Sequence, residues 1–226
     1  MLFMDLDGTL LDDTARHYST YVELLGLPEM RGHPIPEKEY WGLRREGKPV
    51  EEILRKSRLF PTKFKDFGLR FEERVETPEM LALDRVRVGT ETALGKLYTK
   101  TPIVLVTQRR DGAELENQLA RLGLRKYFAE VLFGGLKPTR RPTKDDRWQH
   151  KAGLLRTRYK ILPTEALFIG DTDNDVKAAR SLKFDVWLVE GGHQNKELQI
   201  KADPDRIIPD LVGGLKHMLP GGRWQR

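Results

Sequence analysis

The chain has 226 residues, with 40 Lys plus Arg against 34 Asp plus Glu, a net charge of +6 and no cysteine. This length is enough for one full domain and a smaller one, so it disfavours an intrinsically disordered chain, and the lack of cysteine excludes disulfides, thiolate nucleophiles and sulfur-ligated zinc. No stretch has the roughly 20 apolar residues of a membrane span, and a charge follows Met4 too soon for a signal peptide. We therefore expect a cytoplasmic protein without a membrane segment.

Five short apolar runs predict buried strands, because each is too short for a helix and is apolar at nearly every position. They lie at residues 2–4, 103–106, 131–133, 166–169 and 184–189. Between the later runs, Asp111 and Glu114 are spaced as a helix-capping pair, and residues 173–182 form a second helix candidate. Strands that alternate with helices predict an α/β fold, with a Rossmann-like, mostly parallel sheet sandwiched by helices.

The long interval after the first strand is predicted to be a helical insertion. One helix should end at Gly26, a second should span residues 50–59 after Pro49, and Thr77-Pro78 should start a third. The expected organisation is an α/β core domain at residues 1–13 and 88–226, interrupted by a helical cap domain at residues 14–87. An insertion at that point would lie over the carboxyl end of the first strand, where open α/β sheets bind their ligands.

Two acidic pairs follow predicted strands. Asp5 and Asp7, two apart in an extended segment, can point the same way, and Gly8 allows a sharp turn after them. The second pair, Asp171 and Asp175, follows the run at residues 166–169. Four carboxylates without His or Cys are the ligands of a hard cation, and we expect Mg²⁺ rather than Ca²⁺, because no EF-hand spacing is present.

Two further features suggest phosphoryl transfer, which requires an aligned nucleophile, a metal and donors for the phosphoryl oxygens. Thr107 places a hydroxyl at the end of the second long strand, and basic residues precede the strand that leads to Asp171. In this order, the motif from Asp5 to Leu10, Thr107, a lysine and the motif from Gly170 to Asp175 resemble the four motifs of the haloacid dehalogenase superfamily, and the helical insertion resembles its cap. Residues 202–208 are similar to the tail of phosphoglycolate phosphatase-like members.

The resemblance implies a role for each matched residue. Asp5 would be the nucleophile that becomes an aspartyl phosphate, and Asp7 would be the general acid and then the base. The Asp5 and Asp171 carboxylates and the Asp7 carbonyl would hold Mg²⁺, with Asp175 supporting the metal site, and Thr107 would bind phosphate. An acid at position 7 disfavours dehalogenation, because the dehalogenase branch lacks it.

Three lysines are candidates for the phosphate-binding lysine that the resemblance implies. Lys151 lies 20 residues before Asp171, about one turn less than the usual interval, and it should start a helix. Lys144 lies 27 residues before Asp171, and Lys137, in a Lys-Pro pair, lies 34 before it. We favour Lys151, with Lys144 as the alternative.

The expected function is a Mg²⁺-dependent phosphatase for a small phosphorylated metabolite, closed by its cap. The alternatives are a phosphomutase on the same scaffold and a non-catalytic polyanion-binding protein. Both acids needed for two-step chemistry are present, which counts against nucleic acid as the partner. Residues 134–160 carry a net charge of +7, so the rest of the chain is at −1. We expect Arg140, Arg141 and Lys144 in this basic segment to attract an anionic substrate.

Overall fold

The computed structural model describes residues 1–136, 144–218 and 224, and only the backbone of Lys144. Its described residues divide into two compact units. The first, called here the α/β unit, comprises residues 1–12, 85–136 and the described residues from 144 onwards. The second, the helical unit, is Asp13–Asp84. Lys137, Arg140, Arg141 and the Lys144 side chain lie outside the described residues.

The α/β unit is built on a six-stranded sheet in the order β5-β4-β1-β6-β7-β8, and each neighbouring pair is parallel. A separate antiparallel pair joins β2 to β3. Within the described residues the strands are β1 (Leu2–Met4), β2 (Leu11–Asp12), β3 (Arg85–Val86), β4 (Ile103–Thr107), β5 (Glu130–Phe133), β6 (Leu167–Gly170), β7 (Asp185–Val189) and β8 (Arg206–Ile208). The predicted α/β fold with a mostly parallel sheet is confirmed.

The helices of the described residues are α1 (Thr14–Leu25), α2 (Glu37–Arg45), α3 (Val50–Lys56), α4 (Phe64–Arg74), α5 (Pro78–Leu81), α6 (Thr90–Leu97), α7 (Gly112–Arg121), α8 (Lys144–Arg158), α9 (Asp173–Ser181), α10 (Lys196–Lys201) and α11 (Leu211–Leu215). Two short 3₁₀ turns lie at Pro61–Lys63 and Arg125–Tyr127. Among these helices, none combines the length and apolarity needed to cross a bilayer.

Alternation along the strands distributes the core over both faces of the sheet. In β1, Leu2 and Met4 pack with residues of α6, α7 and α11, whereas Phe3 packs with residues of α8 and α9. Successive strand side chains point to opposite faces, so a strand buried on both sides is apolar throughout. This packing explains the apolar runs of β1, β4, β6 and β7, whereas β5, at the edge of the sheet, is only half-buried and its Phe133 is exposed, so the prediction of a buried strand there is corrected.

Some predicted boundaries are corrected by the structure. The helix expected at residues 50–59 ends at Lys56, because the Ser57 hydroxyl bonds the Ile53 carbonyl and Arg58 adopts a positive φ of 57°. Lys151 does not start a helix but lies in the interior of α8. The short strands β2, β3 and β8 were not predicted, since two or three residues show too little alternation to be recognised.

The helical unit has a core of its own, rich in aromatic side chains. Tyr21, Tyr40, Trp41 and Phe67 are buried in it, and the Tyr21 and Tyr40 rings lie 4.6 Å apart. Near the start of α1, the buried Arg16 donates to Asp84 at 2.9 Å and to Asp13 at 3.1 Å. This ion-pair cluster joins the first and last residues of the unit. The role of the unit as a cap remains a prediction.

Candidate active site

The sheet places the predicted acidic residues at one edge. Met4 of β1 is in register with Leu105 of β4 on one side and with Ile169 of β6 on the other. The residues that follow these strands in the chain therefore emerge together at the carboxyl ends, where parallel α/β sheets form their sites. Asp5 follows β1 directly, Asp171 follows β6 directly, and Thr107 is the last residue of β4.

Lys151 is brought into this group by α8. Its Nζ lies 2.9 Å from Asp5 Oδ1 and 2.5 Å from Asp175 Oδ1, and the lysine is almost fully buried. A buried ammonium is stable only when carboxylates compensate its charge. Among the lysines whose side chains the structure describes, Lys151 is the one that lies against Asp5, and its phosphate-binding role stays a prediction.

Asp175 organises the turn between β6 and α9. Its Oδ2 accepts hydrogen bonds from the Asp171 and Thr172 backbone N–H groups at 3.1 and 3.0 Å and from the Thr172 hydroxyl at 2.8 Å. Its Oδ1 accepts from Lys151. Both oxygens are thus committed to protein donors, and this carboxylate fixes the direction in which Asp171 leaves the strand.

Asp171 has the properties of a cation ligand. Its Oδ1 is buried and has no hydrogen-bond partner among the described residues, while its Oδ2 accepts from the His193 backbone N–H at 2.6 Å. Single carboxylate oxygens of Asp5, Asp171 and Asp175 all lie within 4.8 Å of one another. An unsatisfied, buried carboxylate oxygen beside two more carboxylates fits a hard divalent cation with oxygen ligands.

Glycines keep the space around Asp171 open. Gly8 has a φ of +72°, and a Cβ on it would collide with the Asp171 carboxylate and with the His193 ring. A Cβ on Gly192 would collide with the same carboxylate. The left-handed backbone at Gly8 is readily adopted only by glycine, and it turns the chain away directly after Asp7. The predicted role of Gly8 as the turn residue agrees with this geometry.

The electrostatics of the cluster depend on the balance between burial and charge. Burial raises the pKa of Asp5 to about 8, with Lys151 opposing the shift and Asp175 and Asp171 adding to it. Burial would lower the pKa of Lys151, but Asp175 and Asp5 outweigh it and the net shift is upward. Burial would likewise raise the pKa of Asp175, but Lys151 and the Thr172 hydrogen bonds make its net shift downward. A further cation near Asp5 would favour its ionised form.

Asp7 is held by an arginine that the sequence interpretation did not include. Arg109 Nε donates to Asp7 Oδ2 and Arg109 Nη2 to Asp7 Oδ1, both at 2.7 Å. The Arg109 side chain is only 4% exposed, whereas that of Asp7 is 23% exposed. The backbone N–H of Arg109 donates to Thr107 Oγ1 at 3.4 Å, and this hydrogen bond ties the loop to the end of β4. In the sequence, the one feature that points to Arg109 is its position two residues after Thr107. This feature does not distinguish it from Arg110, which is the next residue and the same amino acid.

Two buried glutamines, also not predicted, hold the loop that carries Asp171. Gln199 Nε2 donates to the carbonyls of Asp171 and Val189, each at 2.9 Å. Gln194 accepts from the Asp173 backbone N–H at 2.8 Å and donates to the Asp173 carboxylate at 2.6 Å. Amide side chains can bond a carbonyl or an N–H group equally well, so they fix this turn without adding charge.

Comparison with known proteins identifies the family. The family described as haloacid dehalogenase-like hydrolase matches residues 1–183, which is most of the chain. The chain belongs to this family. The resemblance found in the sequence motifs is thereby confirmed, as is the prediction that the protein is a hydrolase.

Curated relatives of this haloacid dehalogenase-like hydrolase include phosphoglycolate phosphatases, of which two are described here. That of Nitrosococcus oceani is 29% identical, covering 97% of this chain and 96% of the relative, and that of Synechococcus elongatus is 24% identical, covering 96% and 98%. Among solved structures, a haloacid dehalogenase-like family protein from Streptococcus pneumoniae has a TM-score of 0.71 at 20% identity, covering 96% of this chain and 97% of that one. This structural similarity extends over both units.

Proposed function

We propose that this hydrolase is a Mg²⁺-dependent phosphatase that acts on a small phosphorylated metabolite through an aspartyl-phosphate intermediate. The observation that carries the proposal is the placement of Asp5 beside Lys151 and Asp171 at the carboxyl ends of β1 and β6. The two phosphoglycolate phosphatases, matched over nearly their full length, favour a phosphorylated hydroxy acid as substrate.

In the first step, a carboxylate oxygen of Asp5 attacks phosphorus and the bond from phosphorus to the leaving oxygen breaks. Asp7 gives a proton to that oxygen, so the leaving group departs as an alcohol. In the second step, Asp7 takes a proton from water as the water oxygen attacks phosphorus. The bond between the Asp5 oxygen and phosphorus breaks, which releases inorganic phosphate and regenerates the Asp5 carboxylate. Lys151 and the Thr107 hydroxyl donate to phosphoryl oxygens, whose charge needs fixed donors in the transition state.

The acidic cluster would hold Mg²⁺ through Asp5, Asp171 and the Asp7 carbonyl, with Asp175 orienting Asp171. When bound, Mg²⁺ supplies positive charge that compensates the carboxylates and the phosphoryl oxygens. The unsatisfied Asp171 Oδ1 supports this assignment. The raised pKa of Asp5, about 8, supports it too, because a nucleophilic carboxylate has to be ionised.

The test is phosphate release from a panel of phosphate monoesters that includes 2-phosphoglycolate, with Mg²⁺ and with EDTA. We expect Mg²⁺-dependent release, a loss of at least about a thousandfold in kcat for Asp5→Asn, and a phosphorylated Asp5 peptide in acid-quenched wild-type samples. Asp12→Asn, an exposed aspartate of β2, is the matched control and should be fully active.

Three results would contradict the proposal. Full activity of Asp5→Asn would exclude the nucleophile. Isomerised sugar phosphate in place of free phosphate would identify a phosphomutase. No release from any ester, together with polyanion binding that weakens steeply with salt, would identify the non-catalytic alternative.

A further inference from the structure

Arg109 has a position that the two-step mechanism does not use. Its guanidinium faces the Asp7 carboxylate with two parallel contacts of 2.7 Å, and its side chain is buried. This fork geometry suits any carboxylate, because arginine presents two N–H groups in one plane at the spacing of two carboxylate oxygens. Asp7 is the more exposed member of the pair and therefore the one that a substrate can reach first.

The distances put Arg109 within reach of the leaving group. As the general acid, Asp7 must lie about 2.8 Å from the leaving oxygen of the ester. Asp7 Oδ1 also accepts a hydrogen bond from the guanidinium at 2.7 Å, so the two hydrogen bonds together place Arg109 within about 6 Å of that oxygen. A carboxylate one carbon away from the ester oxygen extends roughly 3–4 Å from it at standard bond lengths, which leaves hydrogen-bonding distance to the guanidinium.

We infer that Arg109 binds an anionic group on the leaving alcohol, one or two carbons from the ester oxygen, while it keeps its contact with Asp7. The inference rests on the proposed phosphatase function and deepens it, since it names the residue that selects the substrate. Lys151 lies against Asp5 on the phosphoryl side, and Arg109 lies against Asp7 on the leaving-group side. The two buried cations would thus divide the recognition of a doubly anionic substrate.

The experiment compares 2-phosphoglycolate with its neutral analogue, in which an amide replaces the carboxylate. In the wild type, kcat/KM should be about tenfold or more higher for the carboxylate ester. Arg109→Gln should lower kcat/KM for 2-phosphoglycolate and bring the ratio of the two esters close to one, and Arg109→Lys should keep part of the preference. Arg121→Gln, which removes an exposed charge from the last turn of α7, should leave the ratio unchanged.

A ratio that is unchanged in Arg109→Gln, with both esters slowed equally, would overturn the inference and leave Arg109 as a positioning residue for Asp7. A second measurement needs no variant: in the wild type, the preference should disappear when two or more methylene groups are added between the ester and the carboxylate. A preference kept along this series also overturns the inference. Hydrolysis of the amide ester keeps the phosphatase proposal in either case, whereas no release from any ester by the wild type overturns both.

Discussion

Substitution of Lys151 by methionine tests the electrostatic account of the site. The variant removes the ammonium that lies 2.9 Å from Asp5 and 2.5 Å from Asp175 and fills its volume with an apolar chain. Removing one member of a buried ion pair costs about 3–5 kcal/mol, because the remaining charge stays buried. Two carboxylates are left here, but Asp5 can take up a proton near neutral pH, since burial already raises its pKa to about 8.

The uncompensated charge is therefore mainly that of Asp175, and we expect a loss of about 3 kcal/mol in the free energy of unfolding. The assay is urea denaturation at pH 7.5 with EDTA, so that no divalent cation replaces the lysine. Lys177→Met is the matched control, because Lys177 contacts Asp173 at 3.3 Å on the surface of α9 and should contribute less than about 1 kcal/mol. If Lys151→Met were as stable as this control, the charge balance derived for the site would be wrong.

Two further substitutions test the turn after Asp7 and the helical unit. Gly8→Ala forces a side chain into a backbone with φ of +72° and against Asp171. It should therefore lower the free energy of unfolding by about 1–2 kcal/mol and weaken Mg²⁺ binding measured by calorimetry. Unaltered Mg²⁺ binding would contradict the role given to the open space beside Asp171. Burial lowers the pKa of His17 to about 4, although Asp13 opposes this shift. Between about pH 6.5 and pH 4, the unfolded chain therefore binds a proton at His17 that the folded chain does not bind. The contribution of His17 to the free energy of unfolding should therefore be fully present above pH 6.5 and should fall by about 3 kcal/mol as the pH drops to 4. In urea denaturation, His17→Asn should have a free energy of unfolding that depends less on pH than that of the wild type. The same pH dependence in both proteins would refute this account of His17.

The positions of the acidic residues could be predicted because parallel strands order their carboxyl ends. Asp5 and Asp171 each follow an apolar run, and a sheet that pairs β1 with β6 brings them together whatever the intervening sequence. Lys151 could be favoured but not settled from its spacing alone. In the structure, Lys151 lies inside α8 and its Nζ is 2.9 Å from Asp5 Oδ1.

Arg109 could not be predicted, because it does not directly follow a strand as Asp5 and Asp171 do. It stands beside Arg110 in a loop, where neither strand nor helix periodicity defines the direction of a side chain. Only the fold distinguishes the buried arginine from its neighbour. The segment at residues 206–208 was missed in a similar way, because β8 is a strand only through its pairing with β7 at the edge of the sheet.

The small β2–β3 pair determines how the helical unit is attached to the chain. Leu11 pairs with Val86 and Asp12 with Arg85, so the two ends of an insertion of roughly 70 residues are held side by side within the α/β unit. Antiparallel partners lie only about 5 Å apart, which is a distance that a hairpin turn of a few residues can also span. In polymer terms the insertion is one long loop, and closing it costs only about 2–3 kcal/mol more than closing a short turn. The catalytic scaffold can therefore accept insertions of very different length and sequence at this point, and an excision that joins Asp12 to Arg85 through a short turn should leave its strand order intact.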